Sequence, residues 1–366
     1  MKSFIPVARP WLPPLKQYQA LLKDIWRRKM LSNFNKYAQR FEKRGQAYLR
    51  NKNARVVASC DLGLIIAIKA LGLKEGRECI VPSFTFQSTV NAVIWNGLTP
   101  KFVDVDPETF NIDPLEIEKN VSNKTVLIIG THTFGNPCRI DHLQQLARAK
   151  NIPLIFDAAQ AFGSLYQGKK IGNFGDCEVF SFSGTKLITS AEGGLVSVRS
   201  KTMAEKIEHL REYGFRNDYN ARYVGINAKI SELHAALGTL SIDALDNIIK
   251  RYQQIVSRYK KNLAAIPEIT FQKVDSKDRS TYKDFAIVCR RGRDQLLKRL
   301  AEMNIQCKTY FFPVHLMKAF HAYSSRRLKN TENLQGKILC VPIYSEMKFK
   351  TADMICEIID SFYKKK

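Results

Sequence analysis

The sequence has eight cysteines but no Cys-x-x-C pair. That spacing argues against a paired-thiol zinc site, a dithiol redox motif and an iron-sulfur cluster, so no metal site is expected. Cys60, Cys79, Cys138, Cys177, Cys289, Cys307, Cys340 and Cys356 lie scattered and read as reduced structural thiols. No apolar run reaches about 18 residues, the length a membrane-crossing helix needs. The opening MKSFIPVARPWLPP lacks the apolar stretch of a secretory signal, so a soluble, cytoplasmic protein without membrane insertion is expected. Acidic residues are also scarce, with 34 Asp and Glu against 58 Lys and Arg, for a net charge of +24.

The excess charge is uneven. Between Met1 and Cys60 there are 14 Lys and Arg against 2 Asp and Glu, so a sixth of the chain carries 12 of the 24 surplus charges. Such a surface concentrates anions: nucleic acid, anionic lipid or a substrate diphosphate. No zinc-finger spacing and no aromatic RNP strand accompanies it, so nucleic acid is not the expected partner. The plain alternative is a solvated basic face. With 366 residues, 45% of them hydrophobic, the chain can bury the core of one large domain and a smaller one.

From about Val56 to Val198 short β-branched runs alternate with helical stretches: RVVAS, ECIVPS, PKFVDVD, TVLIIGTH and PLIFDAAQA. This alternation predicts a parallel or mixed sheet covered by helices, with a site at the carboxyl ends of its strands. Those ends carry Ser59-Cys60-Asp61, Pro82 to Thr85, Thr131-His132 and Asp157 to Gln160. Residues Asn227 to about Lys261 read as one long helix, because Ile230, Leu233, Ala236, Leu237 and Leu240 recur at helical spacing. Beyond it, TYKDFAIVCR, DQLLKRLAEM and TADMICEIIDSFY suggest a small α+β domain. The expected division is 1–240 and 241–366.

FDAAQAFGS and VFSFSGTKLITSAEGG place Asp157 and Lys186 about thirty residues apart. A loop lysine beside a cofactor aldehyde can form an imine, and a carboxylate facing a pyridine nitrogen keeps that ring protonated and electron-withdrawing. Each residue alone has an ordinary reading, a solvated charge or a helix cap.

Together with these motifs, RPWLPPLKQY, LSNFNKYAQRFE, VPSFTFQSTVNAVIWNG, PKFVDVDPETFNIDP, FGNPCRIDHL, GINAKISELHAALG and LCVPIYSEM resemble the DegT/DnrJ/EryC1/StrS family of sugar aminotransferases over nearly the whole chain. The resemblance implies pyridoxal 5'-phosphate as cofactor. It also implies the fold type I, aspartate aminotransferase-like architecture: a large α/β domain with a mostly parallel sheet and a smaller α+β C-terminal domain. Lys186 would form the imine with the cofactor and shuttle the proton. Asp157 would pair with the pyridine nitrogen, Gln160 with the phenolic oxygen, and Phe86 would stack on the ring. Ser181 would donate to the phosphate, and Asn227 would reach it from the partner subunit of a homodimer with a shared active site. Glu192-Gly193-Gly194 would shape the lysine loop, and Tyr310 and His315 would lie near the sugar.

Two departures stand out. Cys60 and Asp61 occupy positions where the family usually has a small residue followed by threonine, at a helix whose first amides hold the phosphate. An aspartate beside a phosphate is unfavourable, so Asp61 is expected to turn in as a helix cap, leaving nearby backbone amides for the anion. Asn35-Lys36 replaces Gly-Pro, with Asn35 suited to a left-handed turn. Because Lys186 is retained and clustered cysteines are absent, the reading is transfer of an amino group from glutamate to a nucleotide-linked keto sugar, such as a dTDP-4-keto-6-deoxyhexose, for polysaccharide or secondary-metabolite biosynthesis. The rival readings are a sugar dehydratase or other reaction of the same fold, and a non-catalytic basic binding protein.

Overall fold

A computed structural model describes residues 4–216, 218–324 and 326–364. Near the N-terminus, helix α1 (Leu15–Arg28) leads to α2 (Lys36–Leu49). Asn35 is extended rather than left-handed; its side chain caps α2, accepting the Lys36 N–H at 2.8 Å. The left-handed residues there are Asn33 and Phe34, with φ of 61° and 54°. The expectation for Asn35 is corrected by its own carboxamide, which gains more as a cap than as a turn residue.

Seven strands then build the main sheet: β1 (Ala54–Val57), β2 (Glu78–Pro82), β3 (Thr99–Val103), β4 (Thr125–Thr131), β5 (Leu154–Asp157), β6 (Cys177–Ser181) and β7 (Gly194–Val198). Their order is β1-β7-β6-β5-β4-β2-β3, with β7 antiparallel to both neighbours and the other six parallel. Buried on both faces, the central strands carry apolar runs such as VLII in β4 and LIF in β5. Each fully buried aliphatic or aromatic side chain contributes roughly 1.5–3 kcal/mol of transfer energy.

Helix α3 (Cys60–Leu71) starts where β1 ends, capped by Ser59, whose side chain accepts the Leu62 N–H at 3.2 Å. Two glycines let it lie close to the sheet. A Cβ on Gly63 would come within 2.8 Å of Val179 Cγ1, and one on Gly194 within 2.8–2.9 Å of the Ser59 and Cys60 backbone and the Phe180 carbonyl. Gly194→Ala is therefore expected to cost about 1–3 kcal/mol. Thermal unfolding checks this, and an unchanged melting temperature would contradict it. Helix α4 (Gln87–Trp95) follows the loop after β2.

The long helix expected from Asn227 is two helices, α5 (Glu232–Asp243) and α6 (Leu245–Leu263), separated at Ala244. Asn227 pairs with Glu212 in an isolated bridge, and the Ser231 side chain caps α5 by accepting the His234 N–H. Alternating burial at Ala228 and Ile230 belongs to extended chain, a period that the later helical spacing masked. The buried Glu232 carboxylate accepts the N–H groups of Tyr37 and Ala38 at 2.9 and 2.8 Å, tying α5 to the N-terminus of α2.

The C-terminal part holds an antiparallel sheet of β8 (Ile269–Phe271), β9 (Phe285–Cys289) and β10 (Ile338–Val341), with α7 (Phe349–Lys364) closing the chain. The N-terminal segment joins this part: the Ile5 N–H donates to the Asn304 carbonyl, and the Ile343 N–H donates to the Val7 carbonyl. No helix among the described residues is long and apolar enough to cross a membrane. All eight cysteines are free.

Candidate active site

The carboxyl ends of the parallel strands converge on one cleft. Cys60, Asp61, Phe86, Asp157, Gln160, Ser181, Lys186 and Tyr310 all line it. Asp157 ends β5 and is 5% exposed; its Oδ2 accepts from the Thr89 hydroxyl at 2.6 Å, and its Oδ1 from the Ala159 N–H at 3.0 Å. Thr85 bridges Thr89 and Thr131, steadying that hydroxyl. Burial raises the Asp157 carboxyl above its ordinary range, although both hydrogen bonds and the charge of Lys186 oppose the shift.

Lys186 sits in the loop between β6 and β7, where its backbone N–H donates to the Ser183 carbonyl. Its amine makes no hydrogen bond or ion pair with a described residue. Burial lowers its pKa, followed by the like charge of Lys283. Phe86 stands 53% exposed just before α4, its ring lining the cleft rather than the core. The Gln160 amide is oriented at both ends: Oε1 accepts the Phe134 N–H at 2.7 Å, and Nε2 donates to Asp284 Oδ2 at 3.1 Å.

At α3 the expectation for Asp61 is corrected. Ser59 already occupies the cap, and Asp61 Oδ2 instead accepts from the Ser88 hydroxyl in the first turn of α4, at 2.9 Å. The Cys60 thiol points at the Val179 carbonyl, 3.9 Å away, and burial holds it neutral. The α3 N-terminus and the hydroxyls of Ser59, Ser181 and Ser183 thus line the cleft as donors suited to an anion, while the Ser88 proton is taken by Asp61.

His315 is outside the cleft. It is 1% exposed, with Nδ1 2.6 Å from the Ser83 hydroxyl and Nε2 3.5 Å from Glu332 Oε1. Burial lowers its pKa. It packs beneath the loop after β2, held by Ser83. Asn227 is exposed and does not line its own chain's cleft. The strand-end residue His132 lines the cleft as the sequence placed it, whereas sequence reasoning missed Thr89, Lys283 and Asp284. The available signal was a Lys-Asp pair placed directly before the apolar strand FAIVC, a costly sequence position unless both charges are used.

Pyridoxal phosphate fits these residues. An amine that pairs with no described residue takes its aldehyde, a buried carboxyl whose charge a neighbouring cation would favour suits a protonated pyridine, and the hydroxyls near α3 suit its phosphate.

Sheet, cleft and lysine loop define a pyridoxal-phosphate-dependent transferase of fold type I. The chain belongs to the DegT/DnrJ/EryC1/StrS aminotransferase family, whose pattern matches residues 15–360, and it is a pyridoxal-phosphate-dependent aminotransferase. It is 34% identical, over 100% of both chains, to the GDP-perosamine synthase of Escherichia coli O157:H7. It is 32% identical to the dTDP-4-amino-4,6-dideoxy-D-glucose transaminase of Shigella dysenteriae, over 98% of this chain and 99% of that one. Among solved structures it resembles DesI, determined in the presence of its TDP-sugar product, with a TM-score of 0.92, 29% identity and coverage of 98% and 93%. Helicobacter pylori PseC shares the fold at a TM-score of 0.94 and 22% identity over 100% of both chains.

Proposed function

We propose that the protein takes an amino group from glutamate and delivers it to the keto carbon of a nucleotide-linked 4-keto-6-deoxyhexose, giving a 4-amino sugar for polysaccharide or secondary-metabolite biosynthesis. The observation that carries this reading is the Lys186 amine, paired with no described residue, sharing one cleft with the buried Asp157 carboxyl. The names of full-length relatives, one GDP-linked and one dTDP-linked, support a nucleotide sugar as acceptor.

Pyridoxal phosphate, when bound, supplies an aldehyde for imine exchange and a protonated ring that accepts the electrons of a cleaved C–H bond. Lys186 takes the proton from the α-carbon of glutamate and, in the second half, gives a proton to the sugar carbon. Asp157, held by Thr89 and Ala159, keeps the ring nitrogen protonated. Gln160, fixed by Phe134 and Asp284, keeps one N–H of its amide free to donate to the phenolic oxygen. Phe86 offers its ring face, and Ser181 offers its hydroxyl to the phosphate.

Asp61 adds a carboxylate to the anion-binding end. Asp61→Asn is expected to tighten cofactor binding on the order of tenfold, by removing a like charge. Fluorescence titration of the cofactor-free chain measures this, and weaker binding would oppose it.

The proposal includes a homodimer in which a second copy supplies Asn227 to the phosphate end, supported by that residue's exposure and its absence from the lining of its own cleft. Light scattering should return twice the 41.9 kDa chain mass. Within each copy we divide the chain into a large domain, 1–240, and a small one, 241–366. Cytoplasmic residence belongs to the same proposal, and the eight free thiols suit a reducing compartment. The basic N-terminal sixth would draw the substrate's diphosphate. Raising salt from low to physiological strength should therefore increase the apparent KM for the sugar severalfold while leaving kcat unchanged. A salt-independent KM would remove the steering role.

A further inference from the structure

One wall of the cleft comes from the residues leading into β9. Lys283 and Asp284 lie there side by side, their side chains 6% and 3% exposed, with Lys283 Nζ 2.9 Å from Asp284 Oδ1. A buried ion pair generally adds little net stability over apolar residues of the same volume, so its position in a reactive cleft calls for another use. Asp284 gives its second oxygen to Gln160 Nε2, Gln160 Oε1 accepts from the Phe134 N–H, and the Phe134 carbonyl accepts the Lys283 N–H at 3.0 Å. The ring closes on itself and leaves the Lys283 ammonium one fixed place.

We propose that Lys283 is a positioning residue whose ammonium, anchored by Asp284, keeps the Lys186 amine in its neutral, nucleophilic form. Imine formation needs the nitrogen lone pair: the amine attacks the aldehyde carbon, a C–N bond forms and water leaves. A protonated Lys186 has no lone pair to give. The charged and titratable groups lining the cleft around it are Cys60, Asp61, His132, Asp157, Glu192, Asp284, Tyr310 and Lys283. The carboxylates would favour the ammonium form. Lys283 is the one lysine or arginine besides Lys186 among the described lining residues, and it acts in the opposite sense. Its charge is the largest cause after burial of the lowered Lys186 pKa and outweighs the opposing charge of Asp284. A neighbouring cation is an established way to activate a nucleophilic lysine.

The use of the neutral amine rests on the aminotransferase reading, but the test does not. Brief pulses of acetic anhydride across a pH series, applied to the full chain freed of cofactor, report the neutral fraction of Lys186 by peptide mass spectrometry. Lys201, 85% exposed at its side chain, serves as the internal reference. In the unaltered chain Lys186 should become reactive at lower pH than Lys201. Lys283→Met should move that profile upward, so that relative labelling of Lys186 at pH 7 falls about tenfold. Lys283→Arg, which keeps the charge, should leave the profile in place. If the methionine variant does not fold, Lys283→Gln carries the same comparison. A Lys186 profile unchanged by removal of the Lys283 charge overturns the proposal, even if the variant raises the KM for an anionic substrate. A low Lys186 midpoint in a chain that develops no visible band with pyridoxal phosphate would instead sink the aminotransferase reading and leave this one standing.

Discussion

Replacing Lys186 by alanine should lower kcat for amino transfer by at least about 10⁴-fold, because the residue combines imine chemistry with proton transfer. No neighbour is placed to substitute. Lys283 is bound to Asp284, and His132 is engaged at Nδ1 by the Cys138 N–H and faces Glu178 through Nε2. Burial pushes the Tyr310 hydroxyl up to about 12, too weak an acid to trade protons near neutrality. Lys186→Arg should fail as completely, since a guanidinium keeps its charge and is no nucleophile. Release of 2-oxoglutarate from glutamate, followed in a single turnover, measures the loss. Turnover within tenfold of the unaltered protein would remove Lys186 from the chemistry.

Asp157→Asn should separate charge from geometry. An asparagine can still accept the Ala159 N–H and can donate to the Thr89 oxygen, which would reverse its role. The negative charge alone is lost, and with it the hold on the ring proton. A fall in kcat on the order of 10²–10³ is expected, the usual cost of removing one preorganised electrostatic contact. The cofactor-free variant should be no less stable than the parent, because burial already disfavours the Asp157 carboxylate. Paired measurements of kcat and melting temperature decide the matter. A lowered melting temperature with unchanged kcat would make Asp157 a structural residue.

Strand ends were readable in the sequence because period and composition coincide there: PLIFDAAQA shows an apolar run and then the polar residues that its end exposes. Asp157 and Gln160 line the cleft from that strand end, and Ser181, which only the family resemblance singled out, lines it together with Lys186. The helix over 227–261 misled because Ile230 and Leu233 satisfy helical spacing while Ser231 between them caps a new helix. Asp61 was misassigned because a helix offers its cap to one residue, and Ser59, two positions earlier, was closer to the turn. His315 and Lys283 mark the limit of local pattern. Which of them faces the cleft depends on how residues far apart in the chain pack, with Ser83 drawing His315 inward and Gln160 drawing Asp284 to the wall.

The most direct test of the central claim follows the nitrogen itself. The purified protein, loaded with pyridoxal phosphate, is given ¹⁵N-glutamate and, in separate reactions, GDP- and dTDP-linked 4-keto-6-deoxyhexoses, with the Lys186→Ala variant alongside. The label should appear at the sugar carbon of one of these substrates, with one 2-oxoglutarate formed per amino sugar and none in the variant. A sugar that is dehydrated or unchanged while the label stays in glutamate would contradict the assignment.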